Sequence, residues 1–321
     1  MNSYLEKKSN YVPRQSIEII LNSKRGTQIG TLDGKKSYEL EKEVSARKDE
    51  KLLIYLKKGF IPFSFYTISS SQNNHILDIQ ENNSIGGSNT YAITIPNGNY
   101  SITELLRKIK ELMEDATTFN YVYSITYDDN TSKVSFLITS GTNVLNTKLL
   151  FSSGTNKQDT LCRVLGFKED EDKTFTNSSS AISDFVVDMA DGLDSLRCES
   201  NLVGDNIIST EGGVNGGELL IIPVDLSPNS ILYFDEGNNP FKHELSMDSF
   251  KNVIITFSDN RGNVVDFNNV PYTLILIVEF VFNPNSVITK LNNNITQQPT
   301  TKLSVEEENR KLMLQMLRKN K

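Results

Sequence analysis

The sequence predicts an all-β fold, and three observations carry that prediction. Short runs of Ile, Val, Thr, Tyr and Phe recur along the 321 residues, each bounded by Gly, Asn, Asp, Ser or Pro, which is the pattern of a sandwich or barrel. Apolar and polar residues alternate in Tyr121–Tyr127 and Lys133–Ile138, the period of a half-buried strand. The most apolar run, TLILIVEFVF (Thr273–Phe282), is short, is flanked by Pro271 and Pro284, and contains Glu279. A helical membrane span needs about 20 apolar residues, so this run reads as a buried strand.

Taken in order, strands are expected at Ser16–Asn22, Ser37–Val44, Lys51–Leu56, Pro62–Ile68, Ile76–Gln80 and Tyr91–Ile95. Next, Ser101 with Glu104 forms a capping box, and Ile102, Leu105, Leu106, Ile109, Leu112 and Met113 follow at helical spacing. This helix is expected to pack on the hairpin Tyr121–Tyr127/Lys133–Thr139, whose turn is Asp128-Asp129-Asn130-Thr131-Ser132. Further strands are expected at Lys148–Ser152, Phe185–Asp188, Ser195–Ser200, Glu218–Val224, Ser230–Asp235, Lys251–Ser258 and Tyr272–Phe282. KEDEDK and TNSSS (Lys168–Ser180) form a polar break, and GGVNGG (Gly212–Gly217) reads as a flexible loop. After a polar linker, Ser304 and Glu307 suggest a second capping box. Leu312, Met313, Met316 and Leu317 then line the apolar side of an amphipathic helix.

Composition limits the chemistry. The chain has a net charge of −7, but residues 1–60 carry 13 Lys and Arg against 8 Asp and Glu, and residues 302–321 carry 6 against 3. The body between them is therefore strongly acidic, a poor match for nucleic acid. The basic ends are expected to be solvated or to touch an acidic partner. Cys162 and Cys198 are too few for a disulfide framework and read as buried thiols in a reducing compartment. His75 and His243 read as loop or surface residues, neither beside a recognisable nucleophile. Zinc-ligand spacing, a phosphate-binding glycine loop and an EF-hand are all absent from the sequence. KEDEDK and Asp188/Asp191/Asp194 offer at best a weak cation site. No catalytic, cofactor-binding or metal-binding residue is assigned, no cofactor is expected, and no enzyme is expected.

The order of the pieces carries a resemblance. IEIILNSKRGT, YELEKEV, LLIYLKKGFIPFSFYTIS and NNHILDI come first, followed by ITIPNGNYSITELLRKIKEL. The hairpin YSITYDDNTSKVSFLI and VLGF follow, then LLIIPVD, MDSFKNVIITFSDNRGNVVDFNN and YTLILIVEF. Over roughly residues 16–282 this series resembles the penton (vertex) and related minor capsid proteins of virophages, polinton-like viruses and related giant DNA viruses. The shared motifs are structural, so no functional residue carries over. With the inserted α+β lobe and the C-terminal amphipathic helix read from the residues, the chain divides into an arm (1–15), the first part of the jelly roll (16–90), the lobe (91–167), the remainder of the jelly roll (168–285), and a linker with helix (286–321); the arm and the terminal helix depart from the family's pattern. The resemblance itself implies a jelly-roll sandwich. It further implies a structural protein of an icosahedral virion, made in the host cytoplasm. The expected assembly is a homopentamer at the five-fold vertex, beside the major capsid protein. The basic termini would face genome or inner shell proteins, and there is no membrane span. The alternatives are another minor shell position or a receptor- or carbohydrate-binding β-module. In the jelly roll, TLILIVEFVF is expected to be the last, central strand, covered on both sides, with Glu279 needing a partner or a wet rim.

Overall fold

The computed structural model describes residues 13–204, 217–237 and 240–282. The expected C-terminal helix, the GGVNGG loop (apart from Gly217) and nearly all of the N-terminal arm lie outside the described residues. The chain enters as β1 (Pro13–Asn22) and passes through the short β2 (Thr27–Gln28) into β3 (Lys35–Ser45) and β4 (Glu50–Pro62). In β1 the period of two is explicit: Ile17, Ile19 and Leu21 pack into the core, while Glu18 and Ile20 point out. β4 takes in Pro62 and there the strand ends, so the separate strand expected at Pro62–Ile68 does not form. The reason is that other groups satisfy this backbone. The Phe63 amide donates to Ser230 O, Asn268 Nδ2 donates to Ser64 O at 2.6 Å, and Asn99 Nδ2 donates to Phe65 O at 3.1 Å. Phe63, Phe65 and Ile68 are still buried, as side chains of a connector.

A second core follows. β5 (Ile76–Asn83) and β6 (Ser88–Thr94) form a hairpin, and α1 (Ile102–Ala116) follows. Next come β7 (Val122–Asp128), β8 (Lys133–Ser140), β9 (Val144–Leu149), β10 (Lys173–Phe175) and β11 (Ala181–Ile182). They pair as two antiparallel sheets, β10-β9-β5-β6 and β11-β8-β7. The capping box of α1 is present: Ser101 accepts from the Glu104 amide, and Glu104 accepts from the Ser101 amide. Leu105, Leu106, Ile109 and Met113 are buried, and the helix packs on β7 as its spacing implied. The hairpin turn is held by Asp128, which accepts from the Asn130 amide and from Thr131 Oγ1. This core is wider than residues 91–167, since it takes in Ile68, Leu77 and Ile79 before that span and Phe175 and Ala181 after it. β5 lies between β9 and β6, and that pairing draws it out of the first core. No strand forms over Phe185–Asp188. Its amides bond in turn to Gly166 O, Ser132 O and Val164 O, which belong to different segments.

The chain then returns through β12 (Ser195–Ser200), β13 (Glu218–Pro223), β14 (Ile231–Asp235), β15 (His243–Glu244), β16 (Ser249–Ser258) and β17 (Thr273–Phe282). One sheet runs β1-β17-β4-β14, with β15 also on β4, and the other runs β13-β12-β16-β3-β2. The pairing is nested. β1 pairs with β17, β3 with β16, β4 with β14, and β12 with β13, all antiparallel. Both sheets feed one core that includes Leu21, Ile54, Leu276, Cys198, Ile255 and Phe257. Tyr38 from one sheet and Tyr272 from the entry to β17 share a buried hydroxyl bond of 3.1 Å. Burial pushes the Tyr38 phenol up to about 12, so it stays protonated. The mostly antiparallel strands agree with the all-β expectation.

β17 is central, bonded to β1 on one side and β4 on the other. Leu274, Leu276, Val278 and Phe280 face the core. On the outward side Glu279 has the partner it required, since Lys242 Nζ lies 2.8 and 2.7 Å from its two oxygens.

Gly34 marks a close backbone approach. A Cβ there would lie 2.1 Å from Val265 O, and Gly34 O accepts the Phe257 amide at 2.9 Å. Gly34→Ala should therefore destabilise the protein by roughly 2 kcal/mol through overpacking. Gly204→Ala, where a Cβ meets nothing within 4 Å, should be close to neutral. Urea unfolding of both variants checks this, and equal midpoints would sink the steric argument.

Candidate functional site

The residues singled out in the sequence do not converge on one site. His243 is buried, contrary to the loop or surface position expected, because β15 pairs with β4 and places His243 opposite Ile54. Its Nε2 lies 3.1 Å from Leu219 O, and the Phe241 ring packs edge-on at 4.8 Å. Burial lowers its pKa. His75 is half-buried beside β5; burial lowers its pKa against the opposing pull of Asp159. Cys162 and Cys198 are both free and buried, as expected, one in each core. Burial pushes the Cys162 thiol up to about 12 and raises Cys198 as well. A protonated, enclosed thiol is a poor nucleophile.

The acidic residues are committed to backbone and side-chain bonds. Asp172 accepts from the Ser152 and Ser153 amides and from both hydroxyls. Asp188 accepts from the Ala190 and Asp191 amides, and Asp194 accepts from Asn260 Nδ2. Among the described residues no group of three or more His, Cys, Asp or Glu is placed to hold a metal ion.

Two buried carboxylates organise polar networks that local sequence spacing did not reveal. Asp191 lies between the cores. Its Oδ1 accepts from Arg163 Nε at 3.1 Å and Arg261 Nη1 at 2.5 Å, and its Oδ2 accepts from Asn74 Nδ2 at 2.9 Å. Arg261 also donates to the buried Asp259 and to Gln72. Four separate segments thus meet on one ionic cluster. Glu81, inside the second core, accepts from Tyr91 at 2.7 Å, Tyr123 at 2.5 Å and Thr117 at 2.8 Å. Burial raises both phenols, which keeps them as donors. These networks satisfy charge that would otherwise be costly to bury.

Among the described residues, hollows open on the surface at two places that bear on these groups. One, of about 440 Å³, is lined by Phe63, Thr67, Tyr100, Met189, Leu193 and Val224, with Ser101 and Asp194 at its wall. Ser101 is engaged in the helix cap and Asp194 with Asn260, so neither is set up as a nucleophile or base. The other, of about 620 Å³, lies beside Arg163, Lys168, Glu169, Asp170 and Phe185. Among the described residues no helix is long and apolar enough to cross a membrane.

No family model matches the chain, and no curated protein matches it. Among solved structures, the crystal structure of selenomethionine-labelled mavirus penton protein aligns with it at a TM-score of 0.43 and 13% identity. The alignment covers 83% of this chain and 100% of that one.

Two predictions follow from the buried groups. Neither thiol should react with a disulfide reagent at pH 8 in the folded protein, and both should react in denaturant. Fast labelling of the native protein would show that a core opens. Asp191→Ala strips a buried anion from two guanidinium groups and should cost about 3 kcal/mol, at the lower end for a broken buried pair. Urea unfolding reads this directly, and a change below about 1 kcal/mol, within the surface-pair range, would assign the cluster little weight.

Proposed function

We propose that this chain is a structural capsid protein of an icosahedral DNA virus, without catalytic activity, and that it stands at the five-fold vertex as a homopentamer. The nested pairing is the observation that supports the reading best. Eight strands that pair first with last, second with seventh, third with sixth and fourth with fifth form one long hairpin rolled into two facing sheets. This pairing supports reading the two sheets as a jelly roll, a fold of viral capsid and lectin domains among others. Fold alone does not give function. The order of sequence motifs, which resembles that of vertex and minor capsid proteins, selects the capsid role among the uses of this fold.

The second core fits the same reading as an insertion between the third and fourth strands of the roll. The major capsid protein is the neighbour this role requires, and the basic terminal stretches are suited to genome or inner shell proteins. The place of action is the virion, after synthesis in the host cytoplasm.

An antibody against the purified chain tests the role. It should label intact virus particles by immunogold microscopy, with the label confined to vertices. Label spread over the facets would move the chain to another minor shell position. Particles that carry none of the chain by mass spectrometry would overturn the capsid role.

A further inference from the structure

The two sheets of the first core differ on their outward faces. The outward face of β13-β12-β16-β3 is charged and polar, with Arg197, Glu199, Glu39 and Lys251. The outward face of β1-β17-β4-β14 gathers large exposed apolar residues at one end, among paired charges. In one row Ile20 lies opposite Ile275, and in the next Thr273 lies opposite Phe60, which lies opposite Tyr233. The Phe60 and Tyr233 rings are 5.1 Å apart, and Ile231 stands beside them opposite Pro62. The exposures are 64% for Ile20, 43% for Phe60, 55% for Tyr233 and 62% for Ile231. Large apolar side chains gathered on one sheet face at such exposure mark a contact surface.

The charges on this face indicate what covers it. Lys57 pairs with Glu18 at 3.4 Å, Lys58 with Asp235 at 2.8 Å, Lys242 with Glu279 at 2.7 Å, and Lys51 with Glu244. Each lysine meets a carboxylate of the same chain, so the face is electrically balanced although the chain carries −7. A strongly basic partner would gain nothing from a balanced face and would be drawn elsewhere on the acidic body. Two copies of this chain repel through their net charge, and a neutral apolar face is where they can meet with the least opposition. β14 adds a second feature: among the described residues it pairs only with β4 and the flanking Ile231 and Tyr233 are exposed, an edge that soluble proteins ordinarily cover.

We propose that the outward face of the β1-β17-β4-β14 sheet, centred on Phe60, Tyr233 and Ile231 with Ile20 and Ile275, is the surface on which a second copy of this chain packs. The inference deepens the capsid reading and rests on it only in taking copies to stand side by side. On the same face Ile277, Glu279 and Val281 of β17 are already buried within the chain, so the exposed patch lies at the end of the sheet that carries Ile20, Phe60 and Tyr233.

The test is the solution mass of the full chain by light scattering across a concentration series. The wild-type protein should give a multiple of the single-chain mass. Ile231→Lys/Tyr233→Lys should shift the association midpoint by about thirty-fold or more, as loss of an interface hot spot does. At a concentration low enough for both proteins to be single chains its melting curve should match the wild type, because both side chains are exposed. Ile221→Lys, on the outward face of the other sheet, should leave the mass as it is. A multimer that resists the double variant, or a wild-type protein that stays a single chain throughout, would overturn the proposal. The two readings fail separately. Vertex labelling with a resistant multimer would keep the capsid role and reject this face. Loss of the multimer in the double variant, with particles that carry none of the chain, would keep the face and reject the capsid role.

Discussion

The fold depends on one pairing. β17, the last described strand, lies between β1, the first, and β4, the third of the nested set. Until β17 is in place, β1 and β4 have no common neighbour and Leu21, Ile54 and Leu56 have only half a core. Such a topology is built from contacts distant in sequence, and their loop-closure entropy is met before they stabilise anything. The continuous apolar character of TLILIVEFVF answers that demand. A strand that bonds on both edges and is buried on both faces over Leu276–Val281 gains from Ile, Leu, Val and Phe at nearly every position. The one carboxylate in it is tolerated because Lys242 reaches it from the segment next to β15.

Two sheets paired in this nested way accept extra chain at a connection between strands, since the pairing of the remaining strands is unaffected. The second core uses that freedom between β4 and β12. The segments that join the two cores carry buried apolar residues, Phe65 and Ile68 among them, and the Asp191 cluster ties the same segments together by charge. Gln72 and Asn74 lie on the way into the insertion, Arg163 within it, Asp191 on the way out, and Arg261 on the loop between β16 and β17. A buried ion pair has a low tolerance for misplacement, because losing one partner strands the other. The cluster therefore links the two cores through charged partners as well as through packing.

Much of this was legible in the sequence. Strand runs with turn residues at their ends are local signals, and the capping box at Ser101 and the hairpin over Tyr121–Thr139 were readable for the same reason. The buried thiols and the need of Glu279 for a partner were also readable, since each follows from one residue type and its setting. The errors came where non-local partners decide. Phe63–Ile68 has strand composition, but Asn99 and Asn268, far away in the chain, satisfy its backbone. His243 sits in a polar stretch and is buried because two residues there pair with β4. The Asp191 and Glu81 networks join residues up to 189 positions apart and leave no spacing to read.

The same distinction explains why the proposed contact face was legible only in part. Continuous hydrophobicity in β17 implied cover on both sides, yet a single strand cannot say whether its outer cover is intramolecular. Phe60 and Tyr233 come from strands far apart in sequence, and only the register of β4 with β14 sets them side by side. Charge is likewise invisible along the chain: a net −7 says nothing about a face on which each lysine has found a carboxylate. Apolar residues on the outside of a sheet oppose solubility, and paired charges around them restrain non-specific attachment of charged partners. A face built in this way favours surfaces that are themselves neutral and shaped to fit, which is the requirement for a protein that meets its own copies at high local concentration.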